Sequence, residues 1–266
     1  MKQKQKEFYD IRFSLLKRGM IRHKCSLIVF YDLKLLKSML RIIGAYSLSI
    51  KSVLEVGCGQ GTDALLVSKY AENVVAIDIS RNALRVAKML SAMDNSSKKI
   101  SFVAADAEHL PFREGVFDVV FCKDLLHHVP EPVLTLSEMR RVAKINGKVA
   151  AIEANACNPQ MIIIGLIYFR VDKGVFKNTA PKLIKIFRKA GLSHVKLEKT
   201  ELMPRHLLFE YRSPLCLPMF SESELTLRIL KEIEDKLQSF SFLKNFSNYI
   251  IIGGLKDISE SSWALT

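Results

Sequence analysis

The chain has 266 residues, is 49% hydrophobic and carries a net charge of +13, with five cysteines at 25, 58, 122, 157 and 216. That is enough apolar sequence for a substantial core, and an odd, scattered set of cysteines without a C-x-x-C pair excludes a disulfide frame or structural zinc and points to a reducing, cytoplasmic setting. The charged start MKQKQKEFYDIRF leads into no apolar run of the signal-peptide kind, and the most apolar stretch, MIIIGLIYF (161–169), is too short to span a bilayer.

In chain order, residues 1–50 read as a basic helical cap. Residues 1–51 hold 12 Lys/Arg against 3 acids, whereas residues 52–150 balance at 12 against 12. Within the cap, IVFYDLKLLKSMLRIIG (28–44) repeats apolar residues at helical spacing, and the segment is expected to pack over a ligand cleft, with Tyr9 or Tyr31 either contributing there or packing in the core.

Residues 53–62, VLEVGCGQGT, follow: a buried strand near 52–57, Glu55 close to its end, then Gly57, Gly59 and Gly61 entering a helix near 62–71. Glycine accepts positive φ and lets a ligand approach the backbone where a parallel strand turns into its helix. The spacing is not the G-x-G-x-x-G of dinucleotide binders, because Thr62 follows Gly61, and no Gly-Lys-Ser/Thr of a P-loop occurs. NVVAIDIS (73–80) is a second strand ending at Asp78, 21 residues after Gly57, where an acid can accept from both hydroxyls of a ribose. Ser80 is the better N-cap for the helix near 81–93. A third strand near 100–104 runs to Asp106 and Ala107, where a carboxylate can accept from an exocyclic adenine amine. The fourth, near 117–122, enters a polar segment with Lys123, Asp124, His127 and His128.

A helix near 132–144, ended by Asn146-Gly147, leads to a fifth strand near 147–153. Beyond it come a helix at 179–191, a sixth strand HVKLEKTEL, a helix at 221–240 and a last strand NYIIIGGLK (248–256). Strands separated by helices imply an α/β, doubly wound, mostly parallel sheet with right-handed crossovers. Three regions result: the cap 1–50, a ligand-binding core 51–155, and a C-terminal half 156–266 with an insertion at about 201–245. The insertion and 156–177, rich in Leu, Phe, Met and Pro, are expected to select the substrate or to form an accessory layer or dimer interface.

Four motifs in register over about residues 50–155 resemble the class I S-adenosylmethionine-dependent methyltransferases, in the broad branch related to quinone-biosynthesis enzymes. The resemblance implies a seven-stranded Rossmann-like sheet closed by an antiparallel last strand, and S-adenosyl-L-methionine as cofactor. It further implies that Gly57, Gly59 and Gly61 line the methionine part, that Glu55 helps hold its amino group, that Asp78, with Ile79 beside it, takes the ribose, that Asp106 and Ala107 contact adenine, and that Lys123 belongs to the cofactor site. An N-terminal helical segment often covers the cofactor in that family.

A methyl group on a sulfonium is already electrophilic, so alignment does much of the work. A hydroxyl or carbon acceptor also needs a base, for which His127 and His128 are best placed, with Asp124 as partner or alternative. No metal is called for. CKDL (122–125) lacks the Asn/Asp-Pro-Pro-aromatic tetrad of adenine amino methylation, and Cys122, between Phe121 and Lys123, lacks the neighbouring proline of cytosine C5 chemistry. Both Cys58 and Cys122 read as small buried residues. The basic arm suits an anionic membrane surface or nucleic acid. The expected activity is therefore O- or C-methylation of a small-molecule, lipid-like or lipid-linked acceptor by a cytoplasmic enzyme that can attach to a membrane. The alternatives are an RNA methyltransferase using the arm, a non-catalytic cofactor-binding protein, and a nicotinamide or nucleotide-sugar enzyme on a similar sheet.

Overall fold

The computed structural model describes residues 26–94, 99–167, 174–202 and 224–257. Seven strands, β1 (Ile50–Val56), β2 (Ala71–Asp78), β3 (Ile100–Ala104), β4 (Phe117–Lys123), β5 (Ala143–Ala154), β6 (Ser193–Thr200) and β7 (Tyr249–Leu255), form one sheet. Their order is β3-β2-β1-β4-β5-β7-β6. The first five run parallel, and β7 lies antiparallel between β5 and β6. The helices are α1 (Ser26–Ile42), α2 (Thr62–Val67), α3 (Arg81–Met93), α4 (Pro132–Val142), α5 (Pro159–Ile167), α6 (Ala180–Lys189) and α7 (Glu224–Ser239).

The two-residue period of a strand sorts the apolar residues into two cores. Val53, Val119, Phe121, Ala150, Ile152 and Ile251 face one side, with Leu35, Leu36, Met39 and Leu40 of α1, Ala64 and Val67 of α2 and Leu84 of α3. Leu54, Val56, Val120, Cys122, Val149, Ala151, Ile250 and Ile252 face the other, with Leu136 and Met139 of α4 and Leu183 and Phe187 of α6. Burial on both faces explains why these strands read as continuous apolar runs in the sequence.

Three details differ from expectation, and for Tyr31 the core-packing alternative is the one found. Helix α1 packs across β5, β6 and β7 and against α2, so its apolar stripe completes the sheet sandwich, and Tyr31 is a buried core residue 1% exposed; Tyr9 lies outside the described residues. Helix α2 stops at Val67, because β2 begins pairing already at Ala71 opposite Ile50. Asn146 (φ 61) and Gly147 do not end α4, which closes at Val142. They turn inside β5, where the register jumps from Phe117↔Ala143 to Val119↔Lys148, and Lys256 secures this turn, its Nζ donating to Arg141 O and Ala143 O. Helix α5 arises in the apolar 156–177 stretch, which the sequence left unassigned. No helix among the described residues is long and apolar enough to cross a membrane.

Parallel strands gather their carboxyl ends on one edge, and the order switches direction between β1 and β4, where ligands bind in open α/β sheets. At the opposite flank, Gly253 on β7 lies under α1's end: a Cβ there would come 2.3 Å from Ile43 Cγ2. Gly253→Ala is therefore expected to cost about 1–3 kcal/mol in denaturant unfolding by overpacking. The cost should shrink in an Ile43→Ala background, and equal costs in both backgrounds would show that this contact is not the cause.

Candidate functional site

The site is built from the turns that follow β1, β2, β3, β4 and β5. After β1 the chain needs three left-handed residues in five: Gly57, Gly59 and Gly61 have φ of 78°, 51° and 74°. At Gly57 space also demands glycine, since a Cβ would stand 2.8 Å from Leu125 Cδ1. Ile77 O accepts from Gly57 N–H and Cys58 N–H, each at 2.8 Å, seating the turn on β2. Gly61 occupies the N-cap of α2 without a side chain to fill the opening.

Asp78, at the tip of β2, joins two turns. Its Oδ2 accepts from Gly59 N–H at 2.8 Å and its Oδ1 from Ser80 N–H at 2.8 Å. It is not a helix cap; Ser80 is, its Oγ accepting from Ala83 N–H at 3.1 Å. Ile79 beside it is 38% exposed. Asp106 accepts from Glu108 N–H at 3.0 Å, an Asx-type turn. Residues Leu110 to Phe112 are clamped on α4: Glu138 accepts from Leu110 N–H, while Arg141 donates to Glu138 and to Leu110 O and Phe112 O. The Arg141 hydrogen bond holds the Glu138 carboxyl below its usual range. Ala107 lies between these anchors, partly buried.

Carboxylates dominate the centre. Glu55 is 2% exposed, and its Oε2 has no hydrogen-bond partner among the described residues. Burial, reinforced by Asp63, raises its pKa well above the ordinary 4.5, with Lys123 pulling the other way and Asp78 adding to the rise. Lys123 Nζ bridges Asp32 of α1 at 2.8 Å and Asp63 of α2 at 3.2 Å. Four carboxylates, Asp32, Glu55, Asp63 and Asp78, thus share the neighbourhood of one ammonium. The sequence had pointed to Lys123 and missed Asp32 and Asp63, whose role appears only once α1 and α2 are folded onto the sheet.

The turn after β4 begins with Asp124, non-glycine at φ 50°, its N–H donating to Ile152 O. It carries Leu125 onto Gly57 and His127 toward β5. His127 Nδ1 lies 2.7 Å from Glu153 Oε2, with His127 5% and Glu153 0% exposed. The His127 and His128 rings are 4.0 Å apart. Asn178 Nδ2 donates to the same Glu153 oxygen at 2.8 Å. No sequence signal pointed to Glu153, which sits in a strand read only for its apolar pattern, or to Asn178. Burial pushes the Cys58 and Cys122 thiols well above the ordinary 9.0, so both behave as packing residues.

A cofactor with an ammonium, a sulfonium and one carboxylate fits this set. It matches the excess of carboxylates, the partnerless Glu55 oxygen and the backbone left bare at Gly57, Gly59 and Gly61.

Comparison with known proteins agrees. A family model described as a methyltransferase domain matches residues 54–151, from β1 through most of β5. The chain is 32% identical over 168 residues to a ubiquinone biosynthesis O-methyltransferase of Pectobacterium carotovorum, covering 62% of this chain and 68% of that one. It is 32% identical over 173 residues to a demethylmenaquinone methyltransferase of Lactococcus lactis, covering 64% and 65%. The chain thus spans about two thirds of the length of each of these two curated relatives. Among solved structures, a Haemonchus contortus phosphoethanolamine N-methyltransferase bound to S-adenosylhomocysteine superposes with a TM-score of 0.60 at 18% identity, over 91% of this chain and 59% of that one, which bears on the fold alone. On this sheet order, this site and these relatives, the chain belongs to the class I S-adenosylmethionine-dependent methyltransferases, with S-adenosylmethionine as its cofactor.

Proposed function

We propose that the protein methylates oxygen or carbon of a small-molecule, lipid-like or lipid-linked acceptor. The observation that carries this reading is the buried His127–Glu153 pair at the carboxyl edge of the sheet. An amine acceptor brings its own lone pair, whereas a hydroxyl or carbon acid needs a base, and this pair supplies one. The names of the relatives, one acting in ubiquinone biosynthesis and one on demethylmenaquinone, support an acceptor of that chemical class.

In this reading Glu55 takes the cofactor's ammonium, and the bare backbone at Gly57, Gly59 and Gly61 lies along its methionine part. A carboxylate oxygen accepts two hydrogen bonds, so the Asp78 oxygens that hold Gly59 and Ser80 also take the ribose hydroxyls. Ile79 flanks the ribose, while Asp106 and Ala107 meet adenine. Lys123 holds Asp32 and Asp63 at the cleft floor, which ties α1 to the site as part of its wall. When bound, the cofactor supplies an electrophilic methyl whose bond to sulfur breaks with the pair remaining on sulfur. His127 Nε2 takes the acceptor's proton, the pair left on the acceptor forms the new bond to carbon, and the imidazolium then returns its proton to water. His128, ring to ring with His127, and Asp124, which opens the turn, shape this base. Acceptor choice is assigned to 156–177 and about 201–245, of which 168–173 and 203–223 lie outside the described residues, as do residues 1–25 of the basic arm.

The acceptor test is incubation with methyl-labelled S-adenosylmethionine and a panel of alkylated catechols and hydroquinones, total lipid extract and RNA. Label in the phenolic or lipid fraction is expected, and label confined to RNA defeats the proposal. On the acceptor so found, the double variant His127→Ala/His128→Ala should lose about 100-fold or more in turnover; full turnover would remove the base from the reading.

Calorimetry with S-adenosylhomocysteine tests the cofactor roles. Asp78→Ala is expected to weaken binding about 100-fold, for two lost charge-assisted hydrogen bonds, and unchanged affinity would release Asp78 from the ribose.

Glu55 gives a pH signature. Its pKa is raised on folding, so the folded apoprotein holds the proton to higher pH than the unfolded chain, and this group's effect is a loss of stability as pH rises from 4.5 through the raised value. Glu55→Gln removes that loss. At neutral pH its apoprotein should melt above wild type while binding the cofactor about 10- to 100-fold more weakly. A variant that melts lower and binds normally would reverse the assignment.

A further inference from the structure

The contacts of Glu153 determine which nitrogen of His127 carries the proton. Its carboxylate is fully buried and meets four groups. Oε1 accepts from Leu125 N–H at 2.9 Å and Leu126 N–H at 2.7 Å. Oε2 accepts from Asn178 Nδ2 at 2.8 Å and lies 2.7 Å from His127 Nδ1. The two backbone groups can only donate. Asn178 must also present its amide nitrogen, because its oxygen at 2.8 Å would face a second acceptor. An ionised carboxylate donates nothing, so at 2.7 Å the remaining proton belongs to Nδ1. The 3.3 Å between Asn178 Nδ2 and His127 Nδ1 is then a contact between two donors that share one oxygen.

The surroundings keep the ring in this place. Gly174 lies so close to the turn that a Cβ on it would stand 2.0 Å from His127 O, and Asn178 is itself pinned, its O accepting from Ala156 N–H at 2.9 Å. Resting on the base reading above, we infer that Glu153 and Asn178 are positioning residues that lock the neutral His127 ring in the Nδ1–H tautomer, so that Nε2 is the nitrogen able to take a proton. The arrangement needs no cofactor to form, because every partner belongs to this chain.

Glu153→Gln is the discriminating variant. Its side-chain oxygen is required by Leu125 N–H and Leu126 N–H, which turns its NH2 toward Asn178 and His127 Nδ1; Asn178 then flips to present its amide oxygen, and Nδ1 becomes an acceptor. The proton then moves to Nε2, and the base is lost with little change in shape.

The experiment is two-bond 1H–15N NMR on histidine-labelled protein, with the pH raised until the His127 ring is neutral. Wild type is expected to show a protonated Nδ1 and an unprotonated Nε2, and Glu153→Gln the reverse. A neutral wild-type ring protonated on Nε2 overturns the inference without any variant, and so does an Nδ1–H tautomer that survives the substitution. On the acceptor found by labelling, Glu153→Gln should lower turnover about 100- to 10,000-fold, while affinity for S-adenosylhomocysteine stays within threefold. A purely structural role would lower that affinity and leave the tautomer as in wild type. If His127→Ala keeps full turnover while the tautomer reverses as expected, the base reading fails and the lock stands, so the two failures are separable.

Discussion

The carboxylate excess at the edge between β1 and β4 is the constraint around which this molecule is arranged. Glu55 is buried with an oxygen that no group among the described residues satisfies, and Asp63 and Asp78 press on it electrostatically while Lys123 and a backbone hydrogen bond at Ala64 relieve it in part. Such a group costs stability in the apoprotein, since desolvation disfavours its charged form. A sequence under selection for stability alone would carry Gln or a hydrophobe at this position. A ligand that brings positive charge reverses the balance, so the energy withheld from folding becomes available for binding. The two residues that bracket Lys123, Asp32 and Asp63, come from α1 and α2. The helices that complete one core therefore also tune the field in the cleft.

Much of the core was legible because its signals are local. Each strand, its terminal acid and its glycine turn lie within a few residues of one another, and the apolar runs leave little choice but a parallel sheet buried on both faces. Ser80 could be preferred to Asp78 as a cap from position alone, and the geometry agrees. What could not be read depends on partners distant in sequence. Glu153 looks like one more residue of an apolar strand until β5 is laid beside β4, and Asn178 lies 51 residues beyond His127. The stripe of α1 reads equally as a lid or as a sheet-packing face, because amphipathicity gives a buried side without naming what buries it. The turn at Asn146-Gly147 was recognised correctly as a turn but placed at a helix end, since nothing local shows that β5 starts pairing with Phe117 before that turn.

The comparisons and the site speak to different questions. Similarity over 54–151 covers the strands that carry the cofactor motifs, and it says nothing about the segments after β5. A shared sheet hosts many acceptors, so specificity has to be argued from groups outside it. Here those groups begin at the ends of β4 and β5. There a fully buried carboxylate and a left-handed Asp124 hold one histidine, an arrangement that core packing alone would not require.

Glu153 also links the two halves of the cleft. Its Oε1 fixes Leu125 N–H and Leu126 N–H, and Leu125 is the side chain that closes on Gly57, where the methionine end of the cofactor is assigned. Its Oε2 holds His127, the base in the proposed reaction. A single buried carboxylate thereby sets the height of the turn over the glycines and the orientation of the His127 ring. Leu125, Leu126 and His127 are consecutive and share this one carboxylate, so the two sides of the cleft are joined by a single short segment. For a reaction that depends on lining up three atoms, a shift near 1 Å is costly. That gives a physical reason for the segment to be short, held by Glu153 at both ends and entered through the left-handed Asp124.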